Sequence, residues 1–155
     1  MAESVETLCA RIKKDFRFFH YLNEDERQLV TGYLDCWELP AGTMLWHEGD
    51  PGGFVAFVVS GRVEVKKRTE FADHHVIVGI YSEGSVVGEF CLLSDEPRVV
   101  SATAMTDVSL LKLEIHRFDD LLQQYPEAGS KLLKGMFLAV TLRLNQAFER
   151  LASIF

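Results

Sequence analysis

Gly84-Ser85-Val86-Val87-Gly88-Glu89-Phe90-Cys91-Leu92-Leu93, continued by Ser94-Asp95-Glu96-Pro97-Arg98-Val99-Val100-Ser101-Ala102, is the stretch on which the reading of this chain turns. A glycine precedes a run long enough for one helical turn, whose free N–H groups and positive dipole end favour an anion. Glu89 at that turn is an acceptor suited to a sugar hydroxyl. Arg98, held by Pro97 at the start of the next strand, has the planar fork that grips two phosphate oxygens at once. Together these residues describe a receptor for a sugar phosphate.

Upstream, Glu48-Gly49-Asp50-Pro51-Gly52-Gly53 leads into the apolar run Phe54 to Val59 and then Gly61-Arg62-Val63-Glu64-Val65. The glycines permit tight turns and Asp50 can bond the backbone of its own turn, so this segment predicts a hairpin. Arg62-Val63-Glu64-Val65-Lys66 alternates, which puts Val63 and Val65 on one face and the charges on the other. From Cys36 to Glu114 short apolar runs are cut by turn signals at Pro40-Ala41-Gly42, Ser60-Gly61, Ser82-Glu83-Gly84 and Thr106-Asp107. That rhythm belongs to an antiparallel sandwich or barrel.

Helices flank this region. Val5, Leu8, Ile12 and Phe16 recur at helical spacing between Glu3 and Phe19, and Asn23 with Glu26 makes a capping box before Leu29, Val30 and Leu34. After Glu114 the helical period returns across Phe118, Leu121 and Leu122, and Pro126 separates this helix from a longer one. On the longer helix Leu133, Phe137, Val140, Leu144, Ala147 and Leu151 form a seam of steps of four and three that calls for a partner. The fold class is therefore mainly β with flanking helices: one domain over 1–155, with a helical lead-in (1–35), a β region (36–114) and C-terminal helices (115–155).

Composition narrows the function classes. With 155 residues and 48% hydrophobic content, the chain closes one core. A formal charge of −7 repels nucleic acid, and the basic run Lys66-Lys67-Arg68 reads as a solvated strand end, so no direct nucleic-acid contact is expected. Cys9, Cys36 and Cys91 lack metal or redox spacing and read as reduced thiols of a cytoplasmic protein. No membrane insertion by this chain is expected, because it has no long apolar run.

The two quoted stretches, in this order, resemble the phosphate-binding cassette (84–102) and preceding β-hairpin of the cyclic nucleotide-binding family, and the match extends from Phe18 to Phe155. The spacing from Glu89 to Arg98 resembles the kinase and channel branch of that family more than the bacterial activator branch. The resemblance implies an antiparallel eight-stranded β-roll, a regulatory role without catalysis, and no cofactor. It implies that Gly88 lets the backbone approach a phosphate and Glu89 takes the ribose 2′-hydroxyl. The amides of Phe90 and Cys91 would point at phosphate oxygens and Arg98 would neutralise them, with Val99 and Val100 lining the same surface. Val65 and Val78 would wall the ribose and purine, and the last helix would cover the base with Arg143 nearest to it. Val99 stands where a hydroxyl residue often favours cGMP, which tilts the expected ligand toward cAMP, with cGMP second. Cys91 stands where alanine is usual.

Further partners expected are a second copy of the chain, through the C-terminal helix, and an effector protein that the sequence does not identify. Two alternatives stay open: a ligand-free interaction or dimerisation domain of the same fold, and a cupin-like metal-dependent enzyme using His47, His74 and His75. Against the enzyme, adjacent His74 and His75 point to opposite faces of a strand, and no G-x-S-x-G, H-E-x-x-H or Walker sequence occurs.

Overall fold

The computed structural model describes residues 17–71 and 73–155. Among the described residues eight antiparallel strands form two four-stranded sheets. The first has the order β1 (Asp35–Leu39), β8 (Val108–Glu114), β3 (Phe54–Ser60), β6 (Val86–Val87). The second runs β2 (Met44–Trp46), β7 (Ser101–Ala104), β4 (Val63–Arg68), β5 (His75–Tyr81). Mainly β with flanking helices is thus the observed class, and the two sheets close into the expected roll.

The first sheet divides the core in two, which explains the uninterrupted apolar run of β3. Val55, Phe57 and Val59 pack outward beneath the helices with Leu111, Leu113 and Leu121. Ala56 and Val58 point into the roll with Val63, Val65, Ala102 and Leu110. A strand buried on both faces cannot alternate in polarity, whereas β4, with one face toward water, does.

Helix α1 spans Glu24–Thr31, and its capping box is present: Glu26 N–H donates to Asn23 Oδ1 and Asn23 N–H to Glu26 Oε1. The helix stops at Thr31, short of Leu34, to which the sequence pattern extends it. Gly32 caps the end, and Leu34 reaches the core from the turn that follows. Of the expected lead-in helix between Glu3 and Phe19, residues 1–16 lie outside the described residues, and Arg17–Phe19 forms a 3-10 turn.

Helix α2 (Ile115–Gln124) and the 27-residue α3 (Pro126–Ala152) follow, with Pro126 at the first position of α3. The buried face of α3 carries Ala128, Gly129, Leu132, Gly135, Met136 and Ala139. Gly135 is required by contact: a Cβ there would lie 2.4 Å from the Phe18 carbonyl oxygen. Of the seam residues, Leu133, Phe137, Leu144 and Leu151 are exposed and Val140 packs against the core.

Candidate functional site

The two stretches singled out in the sequence are stitched together by their backbones. Arg98 N–H donates to the Asp50 carbonyl and Gly49 N–H donates to the Arg98 carbonyl, both at 2.8 Å. Asp50 fixes its own turn by accepting from His47 N–H at 2.9 Å. Gly88 takes φ +80°, the left-handed region where a side chain is strained, and ends β6 so that Glu89–Leu92 can make one 3-10 turn. A Cβ on Gly88 would meet Arg98 Nη1 at 2.4 Å and the Trp46 ring at 2.9 Å. The glycine is therefore needed both for the corner and for what packs on it.

Arg98 is the one buried charged residue among the described residues, at 6% exposure. Its Nη2 donates to the Phe54 carbonyl at 2.7 Å and its Nη1 to the Gly88 carbonyl at 3.3 Å. The guanidinium lies 3.8 Å from the centroid of Trp46 and 4.8 Å from that of Phe54. No carboxylate among the described residues forms an ion pair with it, and its buried Nε has no hydrogen-bond partner. Burial pushes the guanidinium below its usual range, with the Cys91 thiol and Asp50 acting the other way. The group still carries its charge at neutral pH. Cys91 Sγ shares the same two carbonyls, of Gly88 at 3.0 Å and Phe54 at 3.3 Å.

Glu89 faces other company. Its carboxylate pairs with Arg143 of α3, whose Nη1 also donates to the Val86 carbonyl at 2.9 Å and whose guanidinium lies 4.5 Å from the Tyr81 ring. Arg143, read from the resemblance as a contact to the base, here holds the acid read as the ribose acceptor. Thus Glu89 and Arg98 are engaged by different partners, and the cavity lined by Gly88, Cys91, Arg98 and Val99 measures about 30 Å³. That is room for a water molecule and not for a nucleotide, whose pockets run to roughly 300 Å³ or more.

The remaining sequence-derived positions divide. Val65 is buried on the inner face of β4, opposite Gly79. Val78 sits where the β4–β5 register slips between Val65 and Lys66; it has no partner in the ladder and is half-exposed. Val99 and Phe90 are exposed, while Val100 packs against the inner core and its carbonyl accepts from Trp46 Nε1 at 3.0 Å.

Sequence reasoning missed Trp46, Phe54 and Tyr81. Trp46 and Phe54 stand on either side of the glycine-rich turn 48–53, which carries the chain from one sheet to the other instead of around the expected hairpin, and the tightness of that turn was the available signal that they face each other. Their ring centroids are 5.5 Å apart, edge to face. Tyr81 follows Gly79 by two residues on the same face of β5, and its ring lies where a Gly79 side chain would project. The histidines do not assemble. His75 pairs with Arg68 in the β4–β5 ladder and His47 lies beside Asp50, and the described residues hold no group of three or more metal-ligating side chains.

Comparison with known proteins agrees with this architecture. Residues 36–125, more than half of the chain, match the model of the cyclic nucleotide-binding domain. Among relatives, the cAMP-dependent protein kinase regulatory subunit of Aspergillus fumigatus is 36% identical over 97 residues, 63% of this chain and 22% of that protein. The cyclic AMP receptor protein of Thermus thermophilus is 30% identical over 114 residues, 74% of this chain and 52% of that protein. The crystal structure of a cyclic nucleotide-binding domain from Methylobacillus flagellatus superposes with a TM-score of 0.83 at 21% identity, covering 95% of this chain and 85% of that one. The chain belongs to the cyclic nucleotide-binding domain family. It spans about a fifth to a half of the length of these two curated relatives. No helix among the described residues is long and apolar enough to cross a membrane.

Proposed function

We propose that this chain is a non-catalytic regulatory module that binds a cyclic nucleotide, cAMP in preference to cGMP, and reports its occupancy through α3. The observation that carries the reading is Arg98: a nine-tenths buried cation at a glycine corner, with no carboxylate ion pair among the described residues and with Nε unbonded. Burying a charge without a counterion is costly, and an arriving phosphate would relieve that cost with bidentate, charge-assisted bonds. Membership of the family and the kinship to cAMP-dependent and cAMP-receptor proteins support the choice of ligand.

The closed geometry suggests how occupancy would be reported. A ribose hydroxyl arriving at Glu89 competes with Arg143 for the same carboxylate, so the ligand favours positions of α3 in which that pair is broken. The apolar stripe left exposed on α3 then serves a second copy of the chain, and the effector reads the resulting arrangement.

Isothermal titration with cAMP and cGMP tests the reading: heat with cAMP, weaker heat with cGMP, and a loss of about a hundredfold in affinity for Arg98→Ala are expected, on the order of 2–3 kcal/mol for an unpartnered phosphate. The small cavity favours a second reading, a docking domain that takes no nucleotide. Absence of heat and of thermal shift with either nucleotide at high micromolar concentration would decide for it.

A further inference from the structure

We infer that Trp46, backed by Phe54, is the positioning residue that holds Arg98 ready for an anion without neutralising it. A buried arginine is ordinarily held by a carboxylate, which keeps it in place but competes with any incoming phosphate. Here the guanidinium lies over two aromatic faces, at 3.8 Å and 4.8 Å, and it donates to two neutral carbonyls, those of Gly88 and Phe54. The ring quadrupole attracts the cation and fixes its plane while leaving its whole charge available.

The cradle is itself immobilised. Trp46 Nε1 is bonded to the Val100 carbonyl at 3.0 Å, and its ring contacts Phe54 edge to face at 77°. Phe54 in turn meets Trp37 edge to face at 5.4 Å. The Trp46 ring also covers the side of Gly88 where a Cβ would stand, so one aromatic surface locates both Arg98 and the glycine corner. Trp46 thus acts on affinity through Arg98.

This inference rests on the nucleotide-binding reading, and the test separates their failures. In a Trp37→Phe background Trp46 is the sole tryptophan. Replacing it biosynthetically with increasingly fluorinated tryptophan weakens the ring quadrupole at nearly constant volume, so folding is preserved. The affinity for cAMP should fall stepwise, by about tenfold at full fluorination. Trp46→Phe should stay within about threefold of the parent and Trp46→Leu should lose about tenfold. Trp46 emission should shift on Arg98→Ala with no nucleotide present.

If the parent binds cAMP and fluorination leaves its affinity unchanged, the inference is overturned and the proposed function stands. If the parent binds neither nucleotide, the proposed function fails, and the emission shift alone then judges the Trp46–Arg98 stack: an unmoved spectrum overturns the stack as well.

Discussion

Helix α3 has two apolar faces that differ in side-chain size. One carries Ala128, Gly129, Leu132, Gly135, Met136 and Ala139 and is buried; the other carries Leu133, Phe137, Leu144, Phe148 and Leu151 and is exposed. The bulkier face would bury more area, yet the smaller one packs on the domain. Closeness explains the choice: the 17–19 turn approaches Gly135 to backbone contact, which large side chains would forbid. Size here sorts apolar residues between a near neighbour within the chain and a surface left for something else.

Adjacent residues offer the sharpest way to break this comparison. Leu132→Ala should cost about 3 kcal/mol through the cavity it leaves, and Leu133→Ala less than about 1 kcal/mol, as read from denaturant melts. Equal effects would erase the distinction between the faces. Gly135→Ala comes next, at about 2 kcal/mol of destabilisation, although alanine is the better helix former by about 1 kcal/mol. A stabilised variant would show that the Phe18 backbone yields.

On the exposed face, Leu144→Ser with Leu151→Ser should leave the melt within about 0.5 kcal/mol while abolishing, in sedimentation, the self-association proposed for this face. A parent that sediments as a monomer, or a variant that still associates, would remove that role from this face. The smallest effect belongs to the ion pair that ties the buried face to α1, Lys131 Nζ to Glu26 Oε1 at 2.9 Å. The Lys131 bond, helped by the Asn23 backbone, holds the Glu26 carboxyl below its ordinary value. The same bond raises Lys131. A depressed acid stabilises above its unfolded pKa of about 4.3 and loses that contribution as pH falls through its lower folded pKa. A raised base stabilises below its unfolded pKa of about 10.4 and loses that contribution as pH rises through its higher folded pKa. Glu26→Gln should therefore make the melting temperature less sensitive to acid below about pH 4.3. An unchanged acid limb would show that the pair contributes nothing measurable.

Much of the fold was legible because it is written in local chemistry. The Asn23–Glu26 box, the alternation of Val63 and Val65 and the helix start at Pro126 each depend on neighbours within a few residues. Arg98 and Glu89 were likewise readable as a pair from their types and their setting in the cassette. Which partners they engage was not, because Phe54, Trp46 and Arg143 arrive from distant strands and from α3. The position of Val78 illustrates the same limit: a one-residue slip in the β4–β5 register, which no local signal announces, leaves it outside the ladder.

By itself the sequence determined an antiparallel β region between helices, with one acid and one arginine close together beside glycines, since period, turn chemistry and capping act over short spans; the eight-stranded roll and the cassette came from the resemblance to a family. Only the tertiary structure decided that the arginine lies on tryptophan rather than against a carboxylate, that the acid is held by α3, and that the small face of α3 is the buried one. Those outcomes depend on which surfaces meet and how closely, and contacts between residues far apart in the chain are set by packing of the whole.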